Sequence, residues 1–339
     1  MPTPSPHPRR ATVHDVARVA GVSRGTVSRL LNGKAYVSAE AREAIEAAIV
    51  EVGYVPNTAA RNLVRRRTQA VGFIVHEPHS LFLEDPNIGG ILLGANQALS
   101  KADFQLVCLV IDSQRDSDRV ARYLSGGFVD GAIIVSARTE DPITSVVQRL
   151  SLPVAFVGHP PRVEASWVGI DNVGAARDVV SRLASTGRRR IGMIAAALDR
   201  DSGADRLEGY RSALGSSFDA ALVEEVGLYS YSAGVLGMRA LLARVPDLDG
   251  VFAASDAVAA GALEALRAAG RRVPDDVGVV GFDDSAWALR TDPPLSTVAQ
   301  PAAALGSAAA LEVLSQLAGS PPVEGGIVLE TPVVWRGSA

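Results

Sequence analysis

The sequence predicts a mixed α/β protein, with a small all-helical head ahead of a large body of parallel sheets covered by helices. Three observations carry that prediction. From Val71 onward, short Val/Ile-rich runs alternate with amphipathic Ala/Leu/Arg stretches, as repeated strand-helix units with helices on both sheet faces require. Residues 11–52 lack such runs and place their apolar side chains at helical spacing instead. Charge divides at the same point: residues 9–67 hold eleven Lys/Arg against five Asp/Glu, leaving 22 against 32 in the rest of the 339-residue chain.

Composition bounds the alternatives. At 47% hydrophobic residues the chain can bury the cores of two or three domains, which excludes general disorder. The apolar runs, such as 131–136 and 251–254, are strand-length, far short of the ~20 residues of a membrane helix. The N-terminal MPTPSPHPRR has prolines where an export leader has an apolar run, so a cytoplasmic location and no membrane partner are expected. Cys108, alone of its kind, sits in the apolar stretch 104–111; it is expected to be buried, and it excludes an internal disulfide or a cysteine zinc site. A basic head on an acidic body suggests a polyanion partner for the head alone, the plainer alternative being a solvated charged surface.

The head can be assigned element by element. Thr12 and Asp15 form a T-x-x-D start signal for a first helix that runs to about Ala20. Gly21 can end it in the left-handed conformation, and Ser23 can cap a second helix that reaches Leu31 before the Asn32-Gly33 turn. Val16, Ala17, Ala20, Val22, Val27, Leu30 and Leu31 fall between these helices. Arg24, Gly25, Thr26, Ser28, Arg29 and Asn32 are left on the outer face, which a helix-turn-helix lays in the major groove. A third helix starts at Ser38, with Ala41, Ala44, Ile45, Ala48, Ile49 and Val52 as its apolar stripe. Asn57 can cap one more short helix, TAARNLV, which by itself is too short to persist in water. Arg65, Arg66 and Arg67 either attract phosphates or keep the linker solvated.

The stretch "TVHDVARVAGVSRGTVSRLLNG", with "VSAEAREAI" and "GYVPNTAARNLVRRRTQAVGFIV", resembles the DNA-binding head and hinge of the lactose-repressor (LacI) family of bacterial transcription regulators. The likeness is near-continuous from Ala11 to Val75, and the order of later segments extends it to about Trp335. The resemblance implies that Arg24, Gly25 and Arg29 face base edges, that Thr12, Ser23, Thr26, Ser28 and Asn32 lie at or near phosphates, and that Leu63 is a hinge leucine that wedges into the minor groove beside Asn57 and Arg61. Gly25 has no side chain to read with, so Arg24 and Arg29 carry the base contacts and a G·C-containing half-site is expected.

The body follows in sequence. Strands are expected at AVGFIV, FQLVCLVI, DGAIIV, LPVAFVG, WVGID, RRIGMIAA, GVFAAS and VGVVGF, with helices between and a final helix over about 302–318. So many strands suggest two sheets. Ligands of such sheets bind at the carboxyl ends of strands, where this chain places His76-Glu77, Ser136-Arg138, Gly158-His159, Asp171-Asn172, 197–206, Ser255-Asp256 and Asp283-Asp284. Carboxylates, amides and arginine there suit sugar hydroxyls, and Tyr231 and Trp287 offer flat faces for a pyranose. The loop after the first strand, HEPHSLFLEDPNIGG, is long enough to border a cleft for an oligosaccharide.

The same resemblance implies a two-lobed, periplasmic-binding-protein-like effector domain crossed by three strands. It matches Asp171, Arg206, Tyr231, Ser255 and Asp283 to effector contacts and puts Gln300 near the cleft. Ser255 stands where the family usually has Asn, which departs from the pattern. Plainer roles remain open: Asp171 and Asp256 as helix caps, Trp287 as core, Arg206 in a surface pair with Asp205 or Glu208. The domain boundaries expected are 10–56 for the helix-turn-helix, 57–69 for hinge helix and linker, and 70–336 for the effector and dimerisation domain. The N-lobe comprises about 70–168 and 299–326, the C-lobe about 169–298 and 327–336.

Several chemistries are absent from the sequence. Lys34 and Lys101 lack a P-loop context, no G-x-G-x-x-G follows the first strand of the body, and His76, Glu77, His79 and His159 are too scattered to suggest a metal. No cofactor and no catalytic residue is expected. The reading is a dimeric repressor that binds a pseudopalindromic duplex operator under control of a small carbohydrate effector. The alternatives are a purine or nucleoside effector and, from another class, a solute-binding protein or enzyme. Residues after the last strand show no apolar heptads, so a dimer rather than a coiled-coil tetramer is expected.

Overall fold

The computed structural model describes residues 11–31, 37–54, 67–139, 141–159 and 165–339. Asn32, Asn57, Arg61 and Leu63, together with the expected hinge helix, lie outside the described residues. The chain divides into two compact units, 1–68 and 69–339.

The first unit contains α1 (Val13–Val19), α2 (Arg24–Leu31) and α3 (Ala39–Val52). Asp15 starts α1 by accepting from the Thr12 N–H at 2.9 Å and the Thr12 hydroxyl at 2.7 Å. Gly21, at φ +67°, turns the chain between α1 and α2, and Ser23 accepts the Thr26 N–H at 3.1 Å. Ser38 caps α3, and Gly53 closes it in the left-handed conformation. Val16, Ala17, Val27, Ile45, Ala48 and Tyr54 form the buried centre, with Ala20, Val22, Leu30, Leu31, Ile49 and Val52 packed around it.

The second unit holds two parallel sheets. The first has six strands in the order β11-β5-β4-β3-β1-β2, built from β1 (Ala70–Val75), β2 (Gln105–Val110), β3 (Gly131–Val135), β4 (Val154–Val157), β5 (Ser166–Ile170) and β11 (Ile327–Leu329). Along β1, Val71, Phe73 and Val75 enter one core while Ala70 and Ile74 enter the other, so both faces are buried and the strand must be apolar throughout. The helices of this lobe are α4 (His79–Glu84), α5 (Pro86–Lys101), α6 (Gln114–Ser125), α7 (Pro142–Leu150) and α13 (Ala302–Leu317). The second sheet, in the order β7-β6-β8-β9, comprises β6 (Ile191–Ala196), β7 (Val223–Val226), β8 (Gly250–Ala253) and β9 (Gly278–Val280). It is covered by α8 (Asn172–Ser185), α9 (Asp201–Leu214), α10 (Tyr231–Arg244) and α11 (Asp256–Ala268), with the short α12 (Ala286–Arg290) beside it.

Three passages join the lobes: β5 to α8, β10 (Thr297–Val298) to α13, and β11 to β12 (Val333–Val334), the last strand pairing antiparallel with β10. The six-stranded sheet continues past the boundaries at 168 and 326 read from sequence. β5 runs to Ile170, and Ile327–Leu329 pair with Val168–Ile170, because the β5 edge would otherwise leave its backbone groups unpaired.

Cys108 departs from expectation and is exposed. β2 is an edge strand with only one neighbour, β1, so its apolar residues are covered incompletely. The protein atoms around the half-covered Cys108 sulfur still desolvate it in part and push the thiol pKa up, away from the reactive thiolate. Among the described residues no helix is long and apolar enough to cross a membrane, and no His/Cys/Asp/Glu cluster has metal-holding geometry.

Candidate functional site

The exposed side of α2 forms one candidate site. Arg24, Gly25, Ser28 and Arg29 are exposed, whereas Val27 at the opposite face is fully buried. Ser23 and Thr26 hydroxyls bond each other at 2.8 Å at the start of the helix. Arg29 folds back along α2, donating Nε to the Gly25 carbonyl at 3.2 Å and Nη2 to the Thr26 hydroxyl at 3.4 Å. Those bonds are exposed to water, so little holds the Arg29 side chain in this pose.

The second site is the cleft between the lobes of the larger unit, about 720 Å³ including its open mouth. Arg206, on the first turns of α9, is its centre. Its side chain is 5% exposed and bonded in three directions: Nε to Asn172 Oδ1 at 3.0 Å, Nη1 to the Ala254 carbonyl at 2.6 Å, Nη2 to Gln300 Oε1 at 3.1 Å. Asp283 Oδ1 lies 3.5 Å from Nη2, and the Phe282 ring lies 3.7 Å beneath the guanidinium carbon. Two of these groups, Asn172 and Gln300, stand at two of the three passages between the lobes, so lobe geometry and Arg206 geometry are tied. Asp283 sits at φ +118° and Asp284 at φ +51°, a strain held by Asp283 N–H to the Val298 carbonyl and Gln300 N–H to the Asp283 carbonyl. Burial pushes the Asp283 carboxyl pKa well above its ordinary value against the pull of Arg206, and the nearby Asp256 and Asp85 carboxylates add to the push.

Arg206, Asp283 and Gln300, three of the sequence-selected residues, thus line one cleft, and Arg206 is not a surface partner of its neighbours. The others stand elsewhere. Asp171 caps α8 by accepting the Gly174 N–H at 2.8 Å, and Ser255 caps α11 by accepting the Val258 N–H at 3.3 Å. Tyr231 and Trp287 stack on each other, centroids 5.8 Å apart, over a separate depression of the second lobe. The flat face in the cleft belongs instead to Tyr229, whose hydroxyl lies 3.1 Å from that of Ser202 and whose ring is 5.6 Å from the Arg206 guanidinium. In LYSYSAG, Ser230 and Ser232 both offer helix caps; Ser230 takes the role, so Tyr231 begins α10 and Tyr229 stays at the mouth of the strand-end loop.

Glu77, Asp85, Asn87, Ser136, Asn172, Arg200, Asp201 and Ser202 also line the cleft. Their signal was position at a strand end or in the loop after β1, but strand-end position names more residues than one cleft can hold. Burial raises the Glu77 pKa to about 7 against the opposing Arg200 charge. His159 donates its N–H to Asp201 at 2.5 Å and places Nε2 2.8 Å from Asp205; chiefly that Asp205 hydrogen bond raises the His159 pKa to about 9. No member of the cleft is an activated nucleophile, and its carboxylates are engaged by cations and hydrogen-bond donors, so the arrangement is suited to holding a polyhydroxylated molecule.

Comparison with known proteins gives consistent matches. Residues 12–57 match the family model for bacterial regulatory proteins of the lacI family, and residues 180–339 match that for a periplasmic binding protein-like domain. The HTH-type transcriptional regulator CelR of Thermobifida fusca is 44% identical over 336 residues, covering 97% of this chain and 98% of that protein. A solved structure of a transcriptional regulator CelR-cellobiose complex is 41% identical with a TM-score of 0.78, covering 97% of this chain and all of that one. A lac repressor dimer bound to operator and the anti-inducer ONPF is 26% identical, with a TM-score of 0.87 and coverage of 97% and 99%.

Proposed function

From the premise that this chain belongs to the lacI family of bacterial regulatory proteins, we propose that it is a sequence-specific transcriptional repressor whose interlobe cleft binds a carbohydrate effector. The observation that carries the effector reading is the three-way bonding of Arg206 to Asn172, Ala254 and Gln300 beside Asp283 and Tyr229. A fixed fork of donors, an acidic acceptor and an aromatic wall together answer the hydroxyls and the apolar face of a sugar. The relative solved with cellobiose supports a sugar of that kind. The relative solved as a dimer on operator supports a homodimer on a two-fold site, with one α2 per half-site.

On this reading Arg24 and Arg29 read guanines, and Asn32, Asn57, Arg61 and Leu63 complete the DNA contacts. Sugar binding favours one lobe arrangement, and the coupled change lowers operator affinity; by linkage, operator lowers sugar affinity by the same factor. The cleft acts as a binding site and not as a catalytic one. The test is selection of duplexes from a random pool by the full chain, followed by titration of the selected duplex with cellobiose, ribose and purine nucleosides. A pseudopalindrome with guanine opposite Arg24, released by a sugar and not by a nucleoside, is expected. Release by nucleosides alone overturns the carbohydrate assignment, and indiscriminate duplex binding overturns the repressor.

A further inference from the structure

The cleft contains a second polar centre that shares no bonded partner with Arg206. Glu77, just past the end of β1 in the first lobe, meets Arg200, the residue before α9 in the second lobe, at 2.7 Å, and each side chain is 2% exposed. Arg200 also donates Nη1 to Asp199 Oδ1 at 3.0 Å. Its Nε is buried and has no hydrogen-bond partner among the described residues. Ser136, Asp201 and Ser202 line the cleft with this pair. Asp85, which caps α5, lines the same cleft.

A buried guanidinium N–H without an acceptor is rare and costly. In a side chain that lines a ligand cleft, the group that most simply answers it is an oxygen of the ligand. We propose that Glu77 and Arg200 form a second sugar subsite, holding hydroxyls of the neighbouring unit of a disaccharide or longer oligosaccharide, while Arg206, Asp283 and Gln300 hold the first unit. The proposal rests on the carbohydrate reading of the cleft and adds selection by length to it. The planar guanidinium edge donates to two adjacent oxygens, and the Glu77 carboxylate accepts from a hydroxyl, which together match a vicinal diol. A monosaccharide at Arg206 leaves the Arg200 Nε unanswered; a disaccharide satisfies it. Because Glu77 and Arg200 come from opposite lobes, the subsite exists only when the lobes are together, so the second sugar unit also favours that arrangement.

The experiment is calorimetric titration of the full chain with cellobiose and with glucose. Arg200→Lys keeps a cation opposite Glu77 and removes the Nε–H, and Arg200→Gln removes both; thermal melting of each unliganded variant checks that it folds. The wild type is expected to bind cellobiose at least about tenfold tighter than glucose, and Arg200→Lys to lose about tenfold of cellobiose affinity while glucose affinity holds within about twofold. A folded Arg200→Lys or Arg200→Gln protein that keeps the wild-type ratio overturns the subsite. Equal loss for both sugars also overturns it and assigns the pair to lobe closure alone. A wild type that binds neither sugar, nor any other saccharide, removes the carbohydrate reading itself, a failure distinct from the previous two.

Discussion

Arg206 carries its charge in a nearly dry setting, and its neighbours are arranged around that fact. Replacing it with Gln leaves Asp283 buried without its cation and leaves Asn172 Oδ1, Gln300 Oε1 and the Ala254 carbonyl short of a donor. Arg206→Gln is expected to cost about 3 kcal/mol of stability and at least about a hundredfold in sugar affinity. Arg206→Lys should rescue little, since an ammonium cannot reach three fixed directions. Melting curves and sugar titrations of both variants check this, and a Lys variant of wild-type affinity would count against the fork. His159 sets a pH dependence. Its pKa, raised to about 9 chiefly by the Asp205 hydrogen bond with Asp201 also facing it, means its proton stabilises the fold fully below the unfolded value near 6.5. That contribution is lost as pH rises from there through 9. The side chain is 42% exposed, so solvent screening leaves about 1 kcal/mol. Glu77, raised by burial to about 7, acts in the same sense between its ordinary 4.5 and 7. The melting temperature of the wild type should therefore fall between pH 6.5 and 9 by more than that of His159→Asn; parallel curves for the two proteins would show that the pair contributes nothing.

Among the elements, α5 and α13 touch most closely. A Cβ on Gly94 would stand 1.9 Å from the Ala303 carbonyl oxygen, and one on Gly306 would stand 1.9 Å from that of Ile91, so the helices meet backbone to backbone at reciprocal glycines. Both helices also carry cleft residues, Asn87, Ile88 and Ile91 on α5 and Leu305 on α13. Gly94→Ala and Gly306→Ala should each cost about 1–3 kcal/mol in urea denaturation and weaken sugar binding as the helices separate. A neutral alanine at either position would mean that the packing has slack the contacts do not show. In the head, Ile45 of α3 is fully buried in a centre of six residues. Ile45→Ala removes about 2–5 kcal/mol, which is comparable to all the stability such a small core supplies. The expected result is loss of operator binding with sugar affinity retained, read by fluorescence anisotropy on labelled duplex and by calorimetry.

The whole molecule separates recognition of DNA from recognition of the effector into units with their own cores, 1–68 and 69–339. A chain starting at Gln69 should keep the sugar affinity of the full protein and lose duplex binding. The basic head, eleven cations against five acids over 9–67, should also make operator affinity fall steeply with salt, by about tenfold or more between 50 and 200 mM. Salt-independent binding would point away from phosphate contacts. Sugar affinity should be nearly salt-independent, because the cleft charges pair inside a shielded site.

How much of this was legible follows from the range of the interactions involved. Helix starts at Thr12, Ser23 and Ser38, the turn at Gly21 and the apolar strands are set by neighbours within a few residues, and the sequence by itself determined them. The same holds for the basic head, the alternating α/β body and the likeness that ties both to one family. Arg206, Asp283 and Gln300 could be selected because the resemblance to one family matched them by position to effector contacts. Only the tertiary structure decided that Tyr229 and not Tyr231 faces the cleft, that Asp171 and Ser255 are spent on helix caps, and that Cys108 lies on an open edge. It also brought Glu77 to Arg200 across 123 residues of chain. Which of two serines caps a helix, which strand is an edge and which charges meet across two lobes depend on packing between segments distant in sequence, and local pattern carries no record of that packing.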